Sequence, residues 1–306
     1  MRPLRTLAIY LAVVFLGGAL LAPWLHQLVL WGGGHVGWLE DVARSPFHRF
    51  VNRSLLLLAV VGLWPLMRGL GVKGWRDIGL GNPAGQGRNA GKGFILGFVS
   101  LAGVALVAVV AGARSFQTNH TIGQTLEHLA NASLAAVVVS VIEEMIFRGA
   151  VFGGLRRVYR WPAALLVSSA VYALVHFFQK PESPHAVVWS SGFTTLASML
   201  HGFIELERLV PGFFNLTLAG VLLGLAYQRT GTLYFSIGLH AGWIFWLKSY
   251  GFLTGEIEGA NTWLWGSGRL IDGWLALFVL AGALMLANRW LLLKAPGQTP
   301  ADSRSP

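Results

Sequence analysis

The stretch that decides the fold is SVIEEMIFRGAVFGGL, Ser140 to Leu155. It places Glu143, Glu144 and Arg148 inside an otherwise apolar helical run. A charged side chain in the middle of a bilayer costs roughly 2.5 to 3.5 kcal/mol on insertion scales, so ionisable groups in a membrane helix mark a functional site by default. Three of them this close together are the feature the rest of the chain has to accommodate.

Working outward, the composition agrees that the run lies in a membrane. Of 306 residues, 54% are hydrophobic and only 12% charged, and the mean hydropathy is +0.58. That is too apolar for an ordinary soluble domain. Apolar windows of spanning length recur near Thr6 to Leu30, Val51 to Leu70, Ala90 to Ala113, Ala130 to Leu155, Pro162 to Phe178, Phe213 to Tyr227, Leu233 to Leu247 and Ile271 to Leu293. These predict an all-α, polytopic transmembrane bundle of about eight spans. The windows at Phe213 and Leu233 are short and need flanking residues to reach both interfaces. The first run begins with a basic stretch, as a signal peptide does, but it continues through Leu30 and no clear small-x-small site closes a short apolar region. It is therefore read as a span.

The net charge of +10 does not point to nucleic acid, because the basic residues stand singly between apolar runs rather than on one face. They read as topology signals and contacts with anionic lipid. With the N-terminus inside, about 14 Lys and Arg fall on the inner side and about 8 on the outer side. The expectation is an integral multi-pass protein of a bacterial inner membrane, with both termini cytoplasmic. Cysteine is absent, which excludes disulfides, thiolate metal sites and a Cys nucleophile. Residues 1–294 read as one membrane domain with its catalytic core at 130–248, and 295–306 (APGQTPADSRSP) as a disordered tail. The less apolar segment Lys180 to Leu209 reads either as an interfacial or re-entrant helix near Thr194 to Leu209, a candidate lid, or as a plain loop.

The polar residues of the later spans fall at one depth. At about 1.5 Å of rise per residue, Glu143 lies roughly 20 Å from the inner cluster at Arg156, His176 roughly 22 Å from Trp161, and His240 roughly 16 Å from Arg229. Glu144 and Arg148, four apart, share a face in the favourable order for an ion pair. Glu143, about 100° round the helix, is left to face a cavity. A carboxylate and two imidazoles can activate water directly or share a divalent metal such as zinc, with Glu143, His176 and His240 as the ligands if a metal is used. The pairs Gly149/Gly153, Gly220/Gly224 and Gly238/Gly242 predict close helix approach. Three other kinds of membrane protease are excluded: the chain has no HExxH, no GxGD and no GxSG. Ser236, one turn before His240, reads as a backbone-bonding serine.

Three motifs together resemble the CPBP intramembrane proteases, also called the Abi or CAAX prenyl protease 2 type. They are EEMIFR at Glu143 to Arg148, YALVH at Tyr172 to His176, and the stretch from Phe213 to Trp243 with its Gly-rich helix, RTGTL turn and histidine. The similarity covers about Val138 to Trp246. It implies a multi-helix membrane fold and peptide-bond hydrolysis at a buried site, with Glu143 as general base, His176 holding the same water or a metal, and His240 stabilising the oxyanion. One position departs from the pattern: where the family usually has Asn, four residues after the third-motif histidine, this chain has Ile244. Asn215, roughly 21 Å from the inner end of its span, is the candidate to supply that amide.

The leading expectation is an endopeptidase acting on a membrane-embedded or lipidated polypeptide, with membrane protein or peptide and lipid as partners and no nucleic acid. The alternative is a non-catalytic membrane immunity or assembly factor on the same scaffold, favoured by Ile244. A third reading is a proton-coupled transporter that uses the buried carboxylates as a relay.

Overall fold

A computed structural model describes residues 2–292; the expected tail at 295–306 lies outside them. Eight long helices occupy the eight predicted windows. They are α1 (Leu4–Gly33), α2 (Phe47–Gly69), α3 (Gly87–Val110), α4 (Ile122–Glu144), α5 (Trp161–Leu174), α6 (Leu206–Thr230), α7 (Tyr234–Leu253) and α8 (Trp274–Leu292). The chain is an all-α, polytopic bundle. By length and composition, α1, α2, α3 and the Leu209–Thr230 part of α6 can cross a membrane, while α5 and α8 hold shorter apolar runs. Large apolar side chains such as Val110, Leu134 and Phe278 are left on the outside, as lipid contact requires.

Local chemistry sets where the key helices begin and end. Thr121 starts α4 with a capping box: its Oγ1 accepts from the Gln124 backbone N–H at 3.2 Å, and Gln124 Oε1 accepts from the Thr121 N–H at 2.9 Å. After Glu144, α4 does not stay α-helical. It passes into a π-helical turn, Met145–Phe152, and ends with the short helix Gly153–Leu155. π turns inside α-helices concentrate at functional sites. A 3₁₀ turn, Val175–Phe177, prolongs α5 and carries His176 at the very end of that helix. Gly231, at φ 68°, stops α6 in the left-handed conformation and lets the chain turn back into α7.

Small residues let the helices around the site approach closely. A Cβ on Gly238 of α7 would lie 1.9 Å from the Ala90 carbonyl oxygen of α3, and one on Gly242 would lie 2.5 Å from the Phe98 backbone nitrogen. Facing them, Gly93 and Gly97 of α3 meet the Phe235 and Leu239 carbonyl oxygens of α7, each at 2.1 Å from an added Cβ. Gly220 and Gly224 seat α6 against Ser169 and Leu165 of α5 in the same way. Gly149 abuts Ile78 of the loop before α3, whereas the nearest atom to an added Cβ at Gly153 is an oxygen of its own helix, that of Arg148. Ser236 donates to the Leu223 carbonyl at 2.9 Å, the backbone bond expected of it.

The segment at 180–209 contains a packed helix, Ser191–Met199, followed by the 3₁₀ turn Leu200–Phe203. It begins earlier than expected. Gly192 lies directly on α1, with only 1.8 Å between an added Cβ and the Ala19 carbonyl oxygen. Met199 joins Ala22, Phe47, Phe50 and Val51 in one buried cluster. An element locked this way against α1 and α2 is a strut, and the expectation of a free lid is corrected accordingly.

Candidate active site

The acid of α4 and the imidazoles of α5 and α7 converge on one cavity. Glu143 Oε2 stands 3.8 Å from His176 Nε2 and 3.7 Å from His240 Nε2. These separations are too long for direct hydrogen bonds, and Glu143 Oε2 is buried without a partner. The cavity, about 240 Å³ in volume, is lined by these three residues together with Tyr172, Asn215, Trp243, Ile244 and Lys248. A second space of about 480 Å³ shares His176, Leu216, Leu247 and Ile271 with it and carries Lys180, Arg269 and Asp272. The site therefore adjoins a polar vestibule at the ends of the helices.

Each imidazole is oriented from behind. His240 Nδ1 lies 2.9 Å from Glu144 Oε1, and His176 Nδ1 lies 2.7 Å from the Tyr172 carbonyl oxygen. Carboxylate and carbonyl oxygens accept only, so both Nδ1 atoms donate. A neutral ring then presents its Nε2 lone pair to the cavity. Glu144 is fully buried and its Oε1 also accepts from Arg148 Nη1 at 2.8 Å. Arg148 in turn lies 4.3 Å over the Tyr172 ring. The predicted division of the two acids is what the structure contains: Glu144 is tied into the protein, and Glu143 faces the cavity.

Three lone-pair donors thus face one point: a carboxylate oxygen and two imidazole nitrogens. Water fits there as the donor that Glu143 Oε2 lacks, while His240 Nε2 already meets the Tyr172 hydroxyl at 3.2 Å. Among the described residues no group of three or more His, Cys, Asp or Glu is gathered tightly enough to stand as a metal site outright. Glu143, His176 and His240 are the three with the right donor chemistry.

Asn215 is not placed as expected. It lines the cavity, but its Nδ2 donates to the carbonyls of Ile271 at 2.7 Å and Gly273 at 2.8 Å, while Oδ1 is buried without a partner. Both amide hydrogens are committed to the chain entering α8, so neither is available to an oxyanion. Ile244 lines the cavity as an apolar residue packed with Ala136 and Ala241. Tyr172, quoted in the sequence only as an aromatic, brings its hydroxyl to 3.2 Å from His240 Nε2. Its spacing of four residues from His176 was the available signal, since it sets the two on one helical face.

Fold and site together define a polytopic membrane protein with a buried carboxylate–imidazole centre. Residues 125–246 match the family model described as type II CAAX prenyl endopeptidase Rce1-like. The resemblance read from the three motifs is borne out: over these residues the chain is similar to a CAAX-type endopeptidase family. No curated protein and no solved structure matches the chain.

Proposed function

We propose that this protein is an intramembrane endopeptidase that hydrolyses a peptide bond of a membrane-embedded or lipidated polypeptide with a water activated by Glu143. The observation that carries the reading is the orphaned Glu143 Oε2, buried and facing two imidazole nitrogens at 3.7 and 3.8 Å. A water between them donates one hydrogen to the carboxylate and the other to an Nε2. Its oxygen lone pair is then turned toward an incoming carbonyl. Glu143 takes the proton as the C–O bond forms and returns it to the amine as the C–N bond breaks, so the protons balance. His176 holds the water, and Glu144 with Arg148 holds His240, whose Nε2 meets the Tyr172 hydroxyl.

Glu143, His176 and His240 are also the residues that would hold a divalent metal. Such an ion supplies Lewis acidity and a more acidic bound water. Metal analysis of the purified protein, before and after chelation, distinguishes the two forms of the site.

The test is comparative proteomics of membranes carrying native, Glu143→Gln, His176→Ala or His240→Ala protein. Substrate fragments should appear with the native chain only, while all four proteins accumulate. Full cellular function in the Glu143→Gln protein would instead favour the immunity or assembly factor.

The charge distribution supports an orientation with both termini inside. Because the chain has no cysteine, single introduced cysteines report it directly.

A further inference from the structure

Hydrolysis by the route above, on which this inference rests, builds negative charge on the scissile carbonyl oxygen. A site that stabilises the charge needs a hydrogen-bond donor aimed at that oxygen. Most atoms lining the cavity are acceptors or are already engaged. Glu143 Oε2 and the two Nε2 atoms are acceptors; with its Nδ1 donating to Glu144 and its Nε2 facing the Tyr172 hydroxyl at 3.2 Å, the neutral His240 has no hydrogen to give the oxyanion role expected of it. Asn215 has given both amide hydrogens to Ile271 and Gly273. Trp243 Nε1 donates to Ser100 Oγ at 2.9 Å. Ile244 has nothing to donate. Lys248 is exposed and lies about 8 residues, roughly 12 Å, along α7 from His240, at the mouth of the cavity rather than beside the reacting atoms. Among the described residues that line the cavity, one donor remains next to the carboxylate–imidazole centre, the hydroxyl of Tyr172.

We propose that the Tyr172 hydroxyl is the donor that holds the scissile carbonyl oxygen, so that in this chain a phenol does what an amide at position 244 would otherwise do. The ring is 3% exposed and held on several sides. The Arg148 guanidinium lies 4.3 Å over it, Phe147 meets it edge-on with ring centres 5.1 Å apart, and its own carbonyl receives His176 Nδ1. A fixed ring is the kind of preorganised donor that costs no rearrangement when charge develops.

The hydrogen itself is free to turn. It rests on His240 Nε2 at an oxygen-to-nitrogen distance of 3.2 Å, longer than a strong hydroxyl bond of about 2.7 to 2.8 Å. Rotation about the phenol C–O bond carries it to a carbonyl oxygen in the cavity without moving the ring. The proton stays on Tyr172 throughout, and no covalent bond to it forms or breaks.

The test uses the full-length protein and a substrate identified by the membrane comparison. Tyr172→Phe keeps the ring and removes the hydroxyl alone; kcat should fall about 100-fold or more, with KM little changed. A fluorotyrosine at 172 keeps both ring and hydroxyl and is the stronger acid. As the stronger hydrogen-bond donor it should change kcat several-fold with KM little changed, which a merely packed ring would not do. Native kcat in Tyr172→Phe, or native kcat with fluorotyrosine, overturns the proposal. The fluorotyrosine protein decides the matter if Tyr172→Phe fails to accumulate. Glu143→Gln runs in parallel: if it still cleaves, the endopeptidase reading itself falls. If it is inactive while Tyr172→Phe is fully active, only the role of Tyr172 falls.

Discussion

Replacing Arg148 by methionine separates the two jobs of the buried ion pair. Glu144 is fully buried and Arg148 is 2% exposed, and they meet at 2.8 Å. Taking away the cation leaves a desolvated carboxylate with only the His240 N–H at 2.9 Å for company. Breaking a buried pair from one side costs about 3–5 kcal/mol, roughly two to four powers of ten in the unfolding equilibrium. The Arg148→Met protein should therefore be the least heat-stable single variant of the site. Glu144→Leu/Arg148→Met removes both charges and should recover most of that loss, because exchanging a whole buried pair for apolar groups is often neutral or better. It should not recover activity. His240 Nδ1 has then lost its acceptor, and losing the partner that orients an active-site imidazole costs about 10–100-fold. Size-exclusion after graded heating in detergent measures the first quantity, and cleavage of the identified substrate the second. Native stability in Arg148→Met, or native turnover in the double variant, would refute the reasoning.

Gly238→Ala places a methyl group where only 1.9 Å separates it from the Ala90 carbonyl oxygen. α7 must move off α3, and both heat stability and cleavage should drop, whereas Gly103→Ala, with open space around it, should be silent in both assays. Asn215→Ala leaves the Ile271 and Gly273 carbonyls without their donor and should cost about 1–3 kcal/mol of stability. The turnover of the protein that remains folded should be near native; a kcat loss of 100-fold at native stability would return Asn215 to the oxyanion role. Cysteine at Asn89 should resist an impermeant maleimide in intact cells and cysteine at Asn119 should react, and the opposite pattern would invert the topology.

The bundle was legible because a bilayer constrains a chain severely. A spanning segment must be apolar, roughly 20 residues long and helical, so its position can be read from composition alone. The convergence of Glu143, His176 and His240 was legible for a related reason. A helix advances by a fixed rise, so depth in the membrane can be counted from the charged ends. What could not be counted was rotation. The π turn at Met145–Phe152 departs from the α-helical spacing assumed between Glu144 and Arg148, and nothing in the apolar run announces it. The glycines of α7 and α6 were visible as packing signals, but Gly93 and Gly97, which complete the α3–α7 contact, became meaningful only with the partner helix in place.

The site divides along the same line. The sequence by itself determined which residue types reach the middle of the protein and at what depth, because hydropathy and helical rise act along one chain. Only the tertiary structure decided which atoms face one another. It turned Asn215 toward the carbonyls of Ile271 and Gly273, set the hydroxyl of Tyr172 against His240 and left Glu143 Oε2 unpaired. Those outcomes depend on how helices far apart in sequence rotate and pack against each other, and close packing fixes that rotation to within a fraction of a side chain.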